Sequence, residues 1–298
     1  MSSIVTPSPT LRGKVRGSDN SLTSIVFLLV LWVSILFAFL FLVTLIVTTW
    51  IDGSERLGIE LFTEFPSARP EQAGARPAIL GSLMVISVTA LFTLPLGIAA
   101  GVHLEEFADK RNWFNRLVEL NVQNLAAVPS IVYGLLTLGA LSLMGVRDKN
   151  IVIAGAMALS LLILPVVIIV TRESLRAVPL EIREGSLALG ATPLQTLFRQ
   201  TLPSAVPGIA TGSILALSRA LGEAAPLLIL GALVFVSFDP NGLLSGYTTL
   251  PIQIFNWTGR PQAEFHVLAA ATSILLLGLL LAMNAIAITI RNRFQQRW

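Results

Sequence analysis

The sequence predicts an all-α, polytopic membrane protein with six spanning helices and a helical hairpin outside the membrane, and three observations predict it. The chain is 54% hydrophobic and only 12% charged over 298 residues, with a mean hydropathy of +0.78, far more apolar than a soluble domain. Its apolar residues fall in long uncharged runs instead of recurring on one face of each helix. Basic residues flank those runs, so the net charge of +3 and isoelectric point near 9.8 read as membrane topology and not as affinity for nucleic acid. Membrane lipid is the expected surrounding, and no nucleic-acid partner is expected.

Residues 1–24 are polar and contain Arg12, Lys14 and Arg16 with Pro7 and Pro9, which predicts a disordered tail. Residues 25–47 carry no charge and, at about 1.5 Å per residue, are long enough to cross roughly 30 Å of hydrocarbon. They lack the short apolar core and small-residue cleavage site of a signal peptide, so they are expected to be retained as the first span. Further spans are predicted at 78–103, 120–146, 151–170 and 267–290, each bounded by charged or polar residues. Residues 206–236 are apolar except for Arg219 and Glu223, and Pro203, Pro207, Asp239 and Pro240 supply the expected ends of this fifth span in chain order.

Residues 25–298 then form one membrane domain. Leu243 to Phe255 is moderately apolar, and the stretch 237–264 is open between a loop and a re-entrant or interfacial segment. An even number of spans puts both termini on one side. Thirteen lysines and arginines lie in the tail, the loops and the C-terminus on that side, against six on the other, so both termini are expected to be cytoplasmic.

Small residues at four-residue spacing mark helix seams: Gly97 and Gly101 in the second span, and Gly208, Gly212, Ala216 and Ala220 in the fifth. Pro95, Pro129 and Pro165 each remove a backbone donor and can kink their spans. Cysteine is absent, which excludes disulfides and thiol chemistry. His103 and His266 are the only histidines and are far apart, so no metal centre is expected.

The loop from Arg172 to Pro203 is too apolar for a mere connector. Residues 180–189 suit a helix that ends at Gly190, where a left-handed turn favours glycine. Thr192, Pro193 and Gln195 then restart one with a capping hydroxyl, a proline at the first helical position and a capping-box amide. Leu194, Leu197, Phe198, Thr201 and Leu202 are expected to return to one side of it. An apolar hairpin outside the membrane needs a protein partner. Gly185 and Ser186, beside Glu184, leave its first helix thin enough for close approach.

Glu184, Gly185, Ser186, Gly190, Leu202 and Pro203 together resemble the EAA loop of ABC importer permeases. Gly185 and Ser186 stand where alanines are usual, which preserves smallness, and Gln200 stands where isoleucine or valine is common. The resemblance implies a MetI-like, type I importer permease whose loop helix couples to an ATPase through these six residues. Several stretches are similar, taken together, to the PstA-type permeases of phosphate importers. They are RPAILGS from Arg76, Leu94 to Gly97, HLEEFA from His103, VPSIVYGL from Val128, EGSLALGAT from Glu184 and SRALGEAAP from Ser218. The resemblance further implies a second homologous permease (PstC-type), an ATPase dimer (PstB-type) that holds ATP and Mg, and an external phosphate-binding protein (PstS-type). Phosphate is then the substrate, a bacterial inner membrane the location, and this chain carries neither cofactor nor catalytic site.

A phosphate anion crossing a low-dielectric region needs fixed donors or cations. Arg219 lies inside a predicted span, where an arginine costs about 2.5–3.5 kcal/mol on insertion scales and its guanidinium can fork onto phosphate. Glu223 is four residues on and is expected to share its helical face, pairing with it when no substrate is present. The alternative is that the pair only aids insertion or ties two helices together. Asn121, Gln123, Asn124, Ser130 and Tyr133 line the pathway or make interhelical hydrogen bonds, of which Asn124, Ser130 and Tyr133 are the pathway candidates. Glu105, Glu106 and Asp109, beside Lys110 and Arg111, read as a solvated interface.

Rival functions are weaker. Gly185 and Gly190 have the glycine spacing of a phosphate loop, but Ala191 stands where its lysine is required. A secondary anion transporter using Arg219 and Glu223 remains an alternative, although it has no use for the hairpin. A permease for another oxyanion is a second. A structural or signalling subunit leaves the intramembrane pair unexplained.

Overall fold

The computed structural model describes residues 22–294, except 110, 233 and 234; most of the expected N-terminal tail lies outside the described residues. The chain divides into two units, residues 1–48 and 49–298. The first consists, as described, of the part of α1 (Leu22–Gly53) up to Thr48, an apolar stretch that carries no charge. In the second, α2 (Glu60–Thr63) precedes α3 (Arg76–Val102), which widens into a π-turn over His103–Phe107. Next come α4 (Trp113–Leu125), α5 (Ser130–Leu143) and α6 (Val152–Arg176). The hairpin is α7 (Leu180–Ala188) and α8 (Pro193–Thr196), and a second π-turn, Leu197–Thr201, leads into α9 (Leu202–Leu221). Last are α10 (Ala225–Ile229), α11 (Leu250–Thr258) and α12 (Ala263–Phe294). Among the described residues there is no strand, only one isolated bridge between Ile151 and Gly246.

Five helical stretches are long and apolar enough to cross a membrane: Ser24–Arg56, Arg76–Phe107, Val152–Arg176, Pro193–Leu221 and Ala263–Arg293. The third expected span is not one helix. Its chain breaks between α4 and α5 and turns by 113°, because Pro129 has no N–H to continue the ladder and instead precedes the first turn of α5. The Tyr133 hydroxyl donates at 2.6 Å to the Leu125 carbonyl, which also accepts from the Val128 amide at 3.1 Å, so α5 is tied back to the end of α4.

The fifth span also differs. Pro203 and Pro207 do not end a helix but lie within the stretch that runs from Pro193 to Leu221, since the π-turn before Pro203 loosens the ladder that proline would otherwise break. The helix stops at Leu221 and not near residue 236, and Pro226 opens α10 in its place.

α6 is the hub. A Cβ at Gly97 would stand 2.7 Å from Val167, and one at Gly101 2.6 Å from Thr171, so the predicted small-residue seam lets α3 lie directly on α6. Gly208 and Gly212 bring α9 against Ser174 and Val170 on another side. In lipid such close contact replaces the hydrophobic drive between helices. The stretch that the sequence left open becomes a wedge: Tyr247 packs on Gly155, the Thr248 carbonyl on Gly81, and the Leu250 amide donates to Ser82 Oγ at 2.8 Å. Gly81→Ala is therefore expected to lower the melting temperature in detergent, since overpacking costs about 1–3 kcal/mol. Gly139→Ala, in mid-helix with nothing within 4 Å, is expected not to lower it.

Candidate functional site

The hairpin forms largely as its punctuation predicts. α7 buries no side chain, and Gly190 takes φ +86°, a conformation that penalises any Cβ. Thr192 makes both halves of the capping box: it accepts from the Gln195 amide at 3.3 Å, and its own amide donates to Gln195 Oε1 at 3.0 Å. Ser186 Oγ lies 2.9 Å from Thr196 Oγ1, joining the two arms.

Glu184 and Gly185 are exposed, and a Cβ at Gly185 would meet nothing within 4 Å. Around them Leu180, Leu187, Leu189, Leu194 and Phe198 are all exposed, Leu189 by 91%. The expected single apolar side of the second arm splits in two: Leu194 and Phe198 face outward, whereas Leu197 and Thr201 are buried and Leu202 is half-buried, with Leu197 and Leu202 packed around Leu175. Pro203 is exposed at the start of α9.

Beneath the hairpin lies an ion network that sequence reasoning missed. Glu105, expected in a solvated interface, is 7% exposed and accepts from Arg172 Nε at 3.2 Å and from Arg176 Nε at 2.9 Å. Arg172, 6% exposed, reaches Glu119 on α4 with its other arm at 2.6 Å. Glu106 pairs with Arg183 on α7 at 2.8 Å, and the same guanidinium donates to the Leu175 carbonyl at 2.9 Å. Adjacent residues of a helix point apart, so the two carboxylates reach different elements, one α6 and the other α7. The end of α3 is thereby tied to α4, α6 and the hairpin. Breaking a buried pair by removing one partner costs about 3–5 kcal/mol, because the other charge is stranded.

Arg219 and Glu223 are brought together, but not on one helix face. Arg219 lies in the last turn of α9, Gly222 caps the helix, and Glu223 lies beyond it, its Oε1 3.8 Å from Arg219 Nε. The Arg219 side chain is 58% exposed on this chain, and a cation here is favoured by the negative end of the helix dipole. Glu223 is its one ion-pair partner among the described residues; the tie to a second helix is made next door, by Ser218 Oγ to Asn284 Oδ1 at 3.1 Å.

Beyond the pair, the Pro226 backbone sits where a Cβ on Gly134 would be, so α10 lies flush against α5. Among the weaker pathway candidates, Asn124 is exposed at the end of α4 and Ser130 is half-buried at the start of α5. Tyr133 is buried, with its hydroxyl engaged across the break.

The chain is similar to several known proteins. A family model described as a binding-protein-dependent transport system inner membrane component matches residues 93–298. The phosphate transport system permease protein PstA of Pasteurella multocida is 32% identical over 257 residues, covering 86% of this chain and 90% of the relative. The PstA of Yersinia pestis is 32% identical over 255 residues, 85% of each. A probable ABC transporter permease of Bacillus subtilis, YqgI, is 33% identical over 229 residues, 72% of this chain and 77% of the relative. Among solved structures, a chain of the inward-facing MetNI methionine ABC transporter superposes with a TM-score of 0.58 at 20% identity, over 72% of this chain and 94% of that one. A chain of a bacterial alginate ABC transporter does so with 0.64 at 16%, over 92% and 96%. The structural likenesses carry the helical fold.

Proposed function

The chain belongs to the family of binding-protein-dependent transport system inner membrane components, and from that membership we propose that it is a permease subunit of an ATP-binding-cassette importer that carries inorganic phosphate into the cell. The observation that carries the substrate is the 32% identity, over 86% of this chain, to a permease named for phosphate transport. The exposed apolar hairpin around Gly185 supports the ATPase partner.

A second, PstC-type permease lies beside this one, a PstB-type ATPase dimer with its ATP and Mg sits under the hairpin, and a PstS-type binding protein delivers phosphate from outside. Both termini and the hairpin face the cytoplasm. Closure of the ATPases moves α7; Arg183 and Glu106 hand the displacement to α3, and Glu105 with Arg172 passes it to α4 and α6. Phosphate crosses between the two permeases past Arg219 and Glu223. The ATP chemistry belongs to the partner, while this chain binds, orients and gates.

The test is to purify the complex from native membranes through a tag on this chain and reconstitute it in vesicles. An ATPase and a second permease are expected to co-purify, with ATP-dependent uptake of radiolabelled phosphate that excess sulfate does not suppress. A chain that purifies alone and still moves an anion without ATP makes the secondary transporter the better account. Uptake that follows another oxyanion in place of phosphate overturns the substrate alone.

The relay makes its own prediction. Glu106→Gln and Arg183→Gln are each expected to lower phosphate moved per ATP several-fold while ATP hydrolysis persists. Swapping the pair, Glu106→Arg with Arg183→Glu, is expected to restore part of the loss. The pair is partly exposed, so its strength lies between the about 1 kcal/mol of a surface bridge and the about 3–5 of a buried one.

A further inference from the structure

A cavity of about 320 Å³ opens at the hairpin end of the molecule between the π-turn that ends α3, the first turns of α4 and the last turn of α6. Its charged wall is Arg116, Arg172, Arg176 and Glu119, three guanidiniums against one carboxylate. Arg172 is almost wholly buried and held on one side by Glu105 and on the other by Glu119, so it is fixed in place before any ligand arrives. Arg176 also leans on Glu105 but is 43% exposed and faces Glu173 at 3.6 Å, a carboxylate that is itself in solvent. Arg116 is exposed and makes no ion pair among the described residues.

The cavity therefore holds one anchored cation, one that can turn inward and one that is unpaired, in the forked chemistry that suits phosphate oxygens. The other side of α4 is apolar and uncovered. Trp113, Phe114, Leu117 and Leu120 are exposed, while Asn115, Arg116 and Glu119 turn toward the cavity. A helix with an aromatic and leucine face beside a cationic one suits the boundary between lipid tails and headgroups.

We propose that this cavity is a binding site for a phosphate-bearing anion, distinct from the transport path at Arg219, with Arg116, Arg172 and Arg176 as its donors. The group is a phosphate ester or inorganic phosphate. The ester source is an anionic phospholipid whose chains lie over Trp113 and Leu117, and the free source is phosphate on the hairpin side. Occupancy draws Arg176 from Glu105 and so acts on the same carboxylate that ties α3 to α6.

The experiment uses the complex purified from native membranes, carrying Arg219→Ala so that the transport path does not contribute phosphate binding. It is placed in nanodiscs of phosphatidylcholine alone or with phosphatidylglycerol, and its melting temperature is followed with and without inorganic phosphate. Native mass spectrometry counts retained lipid. A melting rise with phosphatidylglycerol, together with a retained anionic lipid, supports the lipid source. A rise with inorganic phosphate in phosphatidylcholine supports the free one.

In either case Arg116→Gln is expected to weaken binding about tenfold without changing the unliganded melting temperature, since its side chain packs on the surface. Arg111→Gln, on a neighbouring residue outside the cavity, is expected to change nothing. Neither ligand raising the melting temperature, or a rise that Arg116→Gln leaves intact, overturns the proposal. The transport reading is untouched by that failure, because it is tested by uptake with Arg219 present.

Discussion

Arg219→Ala is expected to abolish phosphate uptake while leaving the complex assembled. The expectation rests on where the structure puts the charge. On this chain the guanidinium is mostly exposed and its pair with Glu223 is long, at 3.8 Å. Such a pair contributes about 0–1 kcal/mol to stability, so deleting it removes little that holds the fold. For a phosphate stripped of water between two permeases the same side chain is worth far more. A hydrogen bond to a charged group contributes about 1.5–3 kcal/mol, and two forked bonds to a desolvated anion compound that loss. At about 1.4 kcal/mol per decade, the rate falls by roughly one hundredfold or more.

Arg219→Lys keeps the charge without the fork and is expected to retain an intermediate rate. Uptake of labelled phosphate and co-purification of the partners are measured on the same membranes. Loss of assembly in Arg219→Ala would mean that the pair is a structural tie, and the pathway role would fall with it.

Much of this architecture could be read from the sequence because its signals are local. An uncharged run announces a span wherever it occurs, which is why α1, α3, α6 and α12 fall close to their predicted places. Gly190 followed by Thr192, Pro193 and Gln195 describes a helix end and a restart without reference to anything distant. Proline is different. A missing N–H says where a ladder can fail, not whether it does: Pro129 sits at a 113° break, whereas Pro203 and Pro207 ride inside a helix that a π-turn has loosened.

The ion network was hidden for another reason. Glu105 meets Arg172, and Glu106 meets Arg183, across 67 and 77 residues of chain, and two adjacent acids look like ordinary solvated surface until α6 and α7 are brought beside them. The wedge around Tyr247 and α11 is likewise tertiary, since its seats at Gly81 and Gly155 lie on other helices. For Arg219 and Glu223 the sequence predicts the partnership but not that Gly222 ends the helix between them.

Gly185→Glu is expected to release the ATPase from the complex and with it all ATP-dependent uptake. The position separates partner contact from folding. A Cβ there meets nothing within 4 Å in this chain, and replacing a mid-helix glycine by a better helix former stabilises the helix by roughly 0.5–1 kcal/mol. The variant chain should therefore insert at normal levels, with a melting temperature no lower than the parent's once purified alone. What changes is the surface offered outward: a carboxylate, two methylenes long, on a hairpin that also exposes Leu180, Leu187, Leu189 and Leu194.

If that surface lies in a groove of the ATPase, the charge must be desolvated without a partner, which costs several kcal/mol; each 1.4 kcal/mol is a tenfold loss of affinity. Gly185→Ala adds a methyl group and no charge, so it is expected to keep the ATPase bound with at most a modest loss of uptake. The two variants distinguish a docking surface from a hairpin that is merely exposed. An ATPase retained in full by Gly185→Glu, with uptake intact, would show that the hairpin does not seat in the partner, and the relay through Arg183 and Glu106 would have no input to carry.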